Sequence, residues 1–200
     1  MNRLGILISG RGSNFEAIAD SIAAGELDAE IAIVISNNPN AEGLRRAQQR
    51  GLRADCVRSR AMEREAYDRL VVEKLRAERV DLVCLAGFMR LLSAYFVGEF
   101  PQRILNIHPS LLPAFPGLEA QLQALEHGVK HSGCTVHFVD EKLDAGPIIA
   151  QATVPVLDSD DEGALAARIL REEHRIYTEA IRSVLSGKYR IDGRRVLPTP

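Results

Sequence analysis

Apolar and polar positions along this chain switch between two periods. Short apolar runs at 4–9, 31–36, 54–57 and 82–86 read as strands, and 3.6-residue spacing over 14–24, 41–50 and 62–79 predicts helices between them. Strands separated by helices of this length predict βαβ units and a parallel sheet. Residues 91–100 predict a short helix leading into a further strand at 104–107.

The pattern then changes. Pro109, Pro113 and Pro116 punctuate a loop, and 117–126 reads as helical. Two strands, 134–139 and 148–156, are joined by a stretch rich in turn residues, Asp140-Glu141-Lys142-Leu143-Asp144-Ala145-Gly146-Pro147. Ser159-Asp160-Asp161-Glu162 has the spacing of a capping box and predicts a long last helix ending near 186. Residues 189–197, around Asp192-Gly193, suit a small hairpin. No repeat, low-complexity tract or linker interrupts the chain, so a single α/β domain over 1–200 is expected, with halves 1–100 and 101–200.

Composition narrows the function classes. A net charge of −2 argues against a general nucleic-acid or membrane-surface binder, so an anionic ligand has to be held by local groups. Cys56, Cys84 and Cys134 are odd in number and widely spaced, which excludes a disulfide framework and suits a reducing compartment. Gly5 and Ser9-Gly10 break the first apolar stretch, which reads as a strand and not a signal peptide. No apolar run approaches the roughly 20 residues of a membrane helix. A soluble, cytoplasmic protein is expected.

The candidate chemistry begins with Asn106 and His108. Two residues apart on a strand, they share a face, and Pro109 stops pairing just beyond them. An amide donor and a titratable ring are then side by side at a strand's C-terminal end, where open α/β sheets bind ligands. The plain alternative is a satisfied histidine in a proline-rich loop. Ser9-Gly10-Arg11-Gly12-Ser13-Asn14 joins the first strand to the first helix and suits a phosphate better than a dinucleotide. Phe15 stands where the third fingerprint glycine belongs, and Asn37-Asn38 where a ribose-binding acid belongs. A tight turn capped by Asn or Ser explains the same residues.

Asp144 is either a solvated turn former or a partner that orients and charges His108. His131-x-x-Cys134-x-x-His137 has the look of a metal site, but Cys134 and His137 are an odd number apart and face opposite sides of a strand, so no metal is expected. Glu173 falls in the inward row Ile169, Ile176, Ala180 of the last helix and either lines a cavity or pairs with an arginine at the helix edge.

Taken in order, Gly12-Ser13-Asn14, Leu85-Ala86-Gly87-Phe88-Met89-Arg90, Asn106 through Pro113, Gly133 through Val139, Asp144-x-Gly146-Pro147 and Glu173-His174 resemble the folate-dependent phosphoribosylglycinamide formyltransferases. The resemblance implies a Rossmann-like formyltransferase fold, a mixed seven-stranded sheet with a parallel N-terminal half and antiparallel C-terminal strands. It implies transfer of a formyl group from the co-substrate 10-formyltetrahydrofolate to the amine of 5-phosphoribosylglycinamide in purine biosynthesis. By the same matching Asn106, His108 and Asp144 are catalytic, with Asp144 keeping His108 protonated. Gly12, Ser13 and Asn14 hold the ribotide phosphate in the first half, and Glu173 grips its sugar or glycinamide portion. Arg64 meets the folate tail, and Met89, Arg90, Leu91 and Leu92 line the pterin pocket with Asn106 and the loop from Val139 and Asp140 to Asp144. The halves are expected to be a ribotide-phosphate-binding half, 1–100, and a folate-binding and catalytic half, 101–200, with Arg64 and 89–92 reaching the folate from the first. Small-molecule partners only, with no nucleic acid or membrane, and a monomer or homodimer are expected.

Ala114 and Glu119 depart from the family pattern, and Glu119 is left out of the site because a carboxylate beside an anion is unfavourable. Methionyl-tRNA formyltransferase and formyltetrahydrofolate hydrolase share the Asn-x-His and Asp signatures. The first is expected to need a further basic domain and the second an N-terminal regulatory one. A non-catalytic nucleotide- or folate-binding module is the alternative of a different class.

Overall fold

The computed structural model describes residues 1–199 and divides into two compact units, Met1–Asn106 and Ile107–Pro200. The first contains β1 (Asn2–Ile8), α1 (Ser13–Ala23), β2 (Ala29–Ser36), α2 (Glu42–Gln49), β3 (Ala54–Cys56), α3 (Arg64–Ala77), β4 (Leu82–Leu85), α4 (Ala94–Glu99) and most of β5 (Ile104–His108). Its strands lie in the order β3-β2-β1-β4-β5, all parallel. Leu4, Ile6, Leu7 and Ile8 on β1 are fully buried, as are Val83 and Cys84 on β4. Continuous apolar runs are what a sheet covered on both faces requires. Phe15 and Ile18 of α1, and Tyr67, Val71 and Leu75 of α3, contribute buried side chains to this core.

The strand order reverses between β1 and β4, the place where ligands dock in open α/β sheets. Ser9 ties the strand ends together there. Its hydroxyl donates to Asn37 Oδ1 (2.7 Å) and accepts the backbone N–H of Met89 (2.8 Å). The Asn37 that replaces an acidic residue is therefore a structural tie at this edge.

The second unit contains α5 (Ala120–Glu126), β6 (His131–Phe138), β7 (Ile148–Pro155), α6 (Glu162–Leu185), β8 (Tyr189–Asp192) and β9 (Arg195–Pro198). β6 and β7 are antiparallel, as are β8 and β9, while β9 meets β7 in parallel at Ile148 and Arg195. The mixed α/β architecture agrees with expectation, but nine strands are present among the described residues where seven were expected. The additional two are the hairpin at the end of the chain.

Several helix starts differ from the sequence reading, and at α4, α5 and α6 the local reason is visible. α4 begins at Ala94 because Ser93 caps it, accepting the N–H of Phe96, and Ser93's own N–H goes to the buried carboxylate of Asp68 at 2.6 Å. α5 begins at Ala120 because Glu119 before it is left-handed (φ 56). α6 is capped by Asp161, which accepts from Ala164 N, and not by Ser159. Asp160 instead accepts Leu157 N–H and pairs with Arg168 at 2.6 Å. Among the described residues, no helix is long and apolar enough to cross a membrane.

Candidate active site

His108 is the last residue of β5 and is buried, and Asn106, half-buried, lies two positions earlier on the same strand face. Nε2 of His108 is 2.8 Å from the carbonyl oxygen of Phe115. A carbonyl only accepts, so Nε2 carries a proton and Nδ1 is the nitrogen whose state can change. Nδ1 faces Asp144 Oδ2 at 3.5 Å, longer than a tight N–H···O bond.

The Phe115 carbonyl is held in place by a buried polar knot. The Ser110 hydroxyl donates to the carbonyls of Ala114 (2.6 Å) and Phe115 (3.2 Å). Thr135, fully buried on β6, donates to Ser110 O and accepts from Leu112 N and Gln151 Nε2. Gln151 also donates to Leu112 O at 2.9 Å. The partners are backbone groups, the fully buried Ser110 and Thr135 hydroxyls and the exposed Gln151 amide, so the proline-rich loop after β5 is tied down where it meets His108.

Asp144 sits in the loop between β6 and β7 with left-handed backbone (φ 48). Gly117 N–H donates to its Oδ2 at 2.8 Å, and His137 Nε2 stands 3.7 Å from its Oδ1. The loop is gathered at its base: Phe138 N–H donates to Pro147 O at 2.9 Å, and a Cβ on Gly146 would lie 1.8 Å from Phe138 O. Only glycine fits there.

The electrostatics are those of one carboxylate between two rings. Burial pushes the His108 pKa below its ordinary value, while the Phe115 carbonyl and the Asp144 charge pull it up and His137 pushes it further down. The imidazolium expected from the sequence is therefore opposed by desolvation in the free protein. Burial alone would raise Asp144, but His137, the Gly117 N–H and the charge of His108 together hold it below the usual carboxylate range.

Among the described residues, no group of three or more His, Cys, Asp or Glu is placed to hold a metal ion. His108 and His137 address different oxygens of Asp144, so their lone pairs do not converge. Cys134 is buried on β6, and burial and the charge of Glu173 push its thiol up to about 12.

In the first unit the turn after β1 has no side-chain cap. Gly12 occupies the N-cap of α1 at φ 79, and a Cβ there would meet the Gly43 backbone at 2.9 Å. The Asn or Ser cap considered from the sequence is not formed. With no side-chain cap, this helix N-terminus around half-buried Ser13 is of a kind suited to an anion. Arg64 is exposed at the start of α3, and Met89 and Leu91 are exposed beyond β4, with Leu92 half-buried. Arg90 lies over the Tyr67 ring at 4.4 Å and contributes positive potential to buried Asp68, whose pKa burial raises.

Glu173 is buried in the row of Ile169, Ile176 and Ala180, and the helix-edge ion pairs belong to Arg175 with Glu172 and Glu179. Val139 and Asp140 are half-buried at the loop's start, and Asp140 accepts Lys142 N–H. Ala114 and Glu119 are exposed. His137 and Thr135 were not foreseen as parts of this site. The signal was there: both are polar and share one face of the strand that leads into the Asp144 loop.

A profile of the family described as formyl transferase matches residues 2–181. The chain is 43% identical over 201 residues to "Phosphoribosylglycinamide formyltransferase" of Escherichia coli, covering 96% of this chain and 95% of that one. It is 50% identical over 188 residues to "Trifunctional purine biosynthetic protein adenosine-3" of Drosophila melanogaster, covering 92% of this chain but spanning only 14% of that protein's length. A crystal structure of glycinamide ribonucleotide transformylase 1 from Symbiobacterium toebii superposes with a TM-score of 0.98 at 55% identity, over 100% of this chain and 95% of that one.

Proposed function

The chain belongs to the formyl transferase family, and on that premise we propose that it transfers the formyl group of 10-formyltetrahydrofolate to the amine of 5-phosphoribosylglycinamide. The products are formylglycinamide ribonucleotide and tetrahydrofolate, in purine biosynthesis. The observation that carries the reading is the His108–Asp144 pair at 3.5 Å, with Asn106 on the same face of β5.

In this reading the ribotide amine attacks the formyl carbon and forms a tetrahedral intermediate whose oxygen carries the charge. The Asn106 amide donates to that oxyanion, and so does His108 through Nδ1–H, the nitrogen that is loosely held. Asp144 favours the charged ring against its burial. The attacking amine then loses a proton, the bond from carbon to the folate nitrogen breaks, and that nitrogen is protonated by way of a water ordered by Asp144 and His108. Nε2, committed to the Phe115 carbonyl, keeps the ring from turning during the transfer.

The phosphate of the ribotide is assigned to the backbone around Gly12, Ser13 and Asn14, and Glu173 to its sugar or glycinamide portion. Arg64 is assigned to the folate tail. Met89, Arg90, Leu91 and Leu92, together with Asn106, Val139, Asp140 and Asp144, are assigned to the folate. Exposed Met89 and Leu91 support this, since uncovered apolar side chains suit a flat ring system.

The test is an absorbance assay of folate product with and without the ribotide. Turnover that requires the ribotide supports the transfer. Turnover without it marks a hydrolase, and tight ligand binding with no turnover marks a binding module.

A further inference from the structure

We propose that His137 is a positioning residue for Asp144, holding the carboxylate by Oδ1 so that Oδ2 stays on His108. The proposal deepens the formyl-transfer reading and rests on it for its kinetic consequences, but its central prediction concerns the geometry of the free protein.

His137 is 2% exposed on β6. Its Nδ1 is 2.9 Å from the carbonyl oxygen of Phe138, so that nitrogen carries a proton. Nε2 is left facing Asp144 Oδ1 at 3.7 Å. As an imidazolium the ring gives the carboxylate a charged donor, whereas as a neutral ring it would aim a lone pair at a negative oxygen. The arrangement repeats that of His108: one nitrogen on a backbone carbonyl, the other toward Asp144.

Asp144 needs a tie on each oxygen. Oδ2 is fixed by Gly117 N–H and faces His108, while His137 faces Oδ1. The loop around it is otherwise loosely attached, with Glu141, Lys142 and Leu143 exposed. Without a donor on Oδ1, the carboxylate gains freedom to rotate and a buried oxygen loses its partner. The titratable groups facing His137 include Asp144 from the loop and His108 from β5, and these two pull in opposite directions. Holding Asp144 favours a charged His108, whereas a second imidazolium disfavours it.

These effects separate in two substitutions. His137→Gln keeps a donor of similar reach and removes the charge. His137→Leu removes both, and His137→Asn, too short to reach Oδ1, does the same while remaining polar. Ring-proton NMR titration of His108 reads the geometry with no substrate present. The midpoint of His108 is expected to rise in H137Q and to fall in H137L and H137N. In the assay, kcat of H137L and H137N is expected to fall about 10- to 100-fold, the scale of a small misplacement of a reacting group. KM for both substrates changes far less, and H137Q recovers most of kcat.

If H137L does not fold, the contrast between H137N and H137Q decides. A His108 midpoint that does not fall in H137N, or an H137Q protein as impaired as H137N, overturns the proposal. A parent protein with no formyl transfer would overturn the functional reading alone, because the titration contrast stands without it.

Discussion

Asp144 presents Oδ2 to Nδ1 of His108 at 3.5 Å from a backbone that is itself left-handed, φ 48. Asparagine and aspartate are the non-glycine residues most at ease in that conformation. Asp144→Asn therefore removes the charge and leaves the loop intact. His108 already titrates below its ordinary value because burial outweighs the pull of Asp144. Removing that pull moves the midpoint lower still and makes the imidazolium harder to form when the oxyanion develops. The expected outcome is a lower His108 midpoint by NMR together with a severe loss of turnover. An unmoved midpoint would break the link between the two residues.

Asn106→Ala and His108→Ala each remove a donor to the oxyanion and are expected to cost about 10²–10³ in kcat. Substrate affinities stay close to those of the parent, because the charge is met only in the transition state. Steady-state kinetics with both substrates varied separates the two parameters. Normal turnover in either variant would sink the proposed mechanism.

Gly12→Ala places a side chain at φ 79 and 2.9 Å from the Gly43 backbone, where neither partner can give way cheaply. The turn after β1 has to shift, and with it the N–H groups assigned to the phosphate. KM for the ribotide is expected to rise tenfold or more while KM for the folate holds. Equal changes in both would argue that the turn does not serve the phosphate.

Thr135→Val keeps the shape of a buried side chain and deletes the hydroxyl that serves Ser110 O, Leu112 N and Gln151. Buried groups left without partners cost about 1–3 kcal/mol each. Thermal melting is expected to show a clear fall, and kcat falls with it because the Phe115 carbonyl is no longer fixed. Thr135→Ser, which keeps the hydroxyl, stays near the parent.

Asp160 is held down to about 2 by its hydrogen bond with Arg168 and by the Leu157 N–H. A depressed carboxylate lends stability that is complete above its unfolded pKa and disappears as the pH falls through its folded one. Asp160→Asn is thus expected to melt below the parent from neutral pH down to about pH 4. The gap closes as the pH approaches 2. A constant gap over that range would assign the effect to packing.

The strands and helices were legible because burial on one face or both imposes a period, which β4 carries without interruption and β1 and α6 with one break each, at Gly5 and Glu173. The Asn106–His108 relationship was legible for the same reason, being a matter of strand parity. The helix starts were less so. Ser159 and Asp161 are equally good caps by type, and the structure uses Asp161, with Asp160 beside it paired to Arg168. Of the partners of His108, Asp144 was legible as a loop carboxylate, but the Phe115 carbonyl was out of reach because it belongs to no side chain at all. His137 was weighed only as a metal ligand. The parity that separates it from Cys134 also places it beside Thr135, on the face that serves Asp144.

The cinched base of the loop between Phe138 and Pro147 separates two kinds of change. Sequence added or removed at the exposed tip, 141–143, alters mainly closure entropy, about 0.6 kcal/mol for each doubling of length. The register of β6 on β7 is set below the neck and is insulated from such edits. Asp144 lies on the neck side, fastened by the Gly117 N–H and faced by His137. Substrate contacts at the tip can thus diversify between relatives while the carboxylate stays where it is, an exchangeable fingertip on a fixed joint.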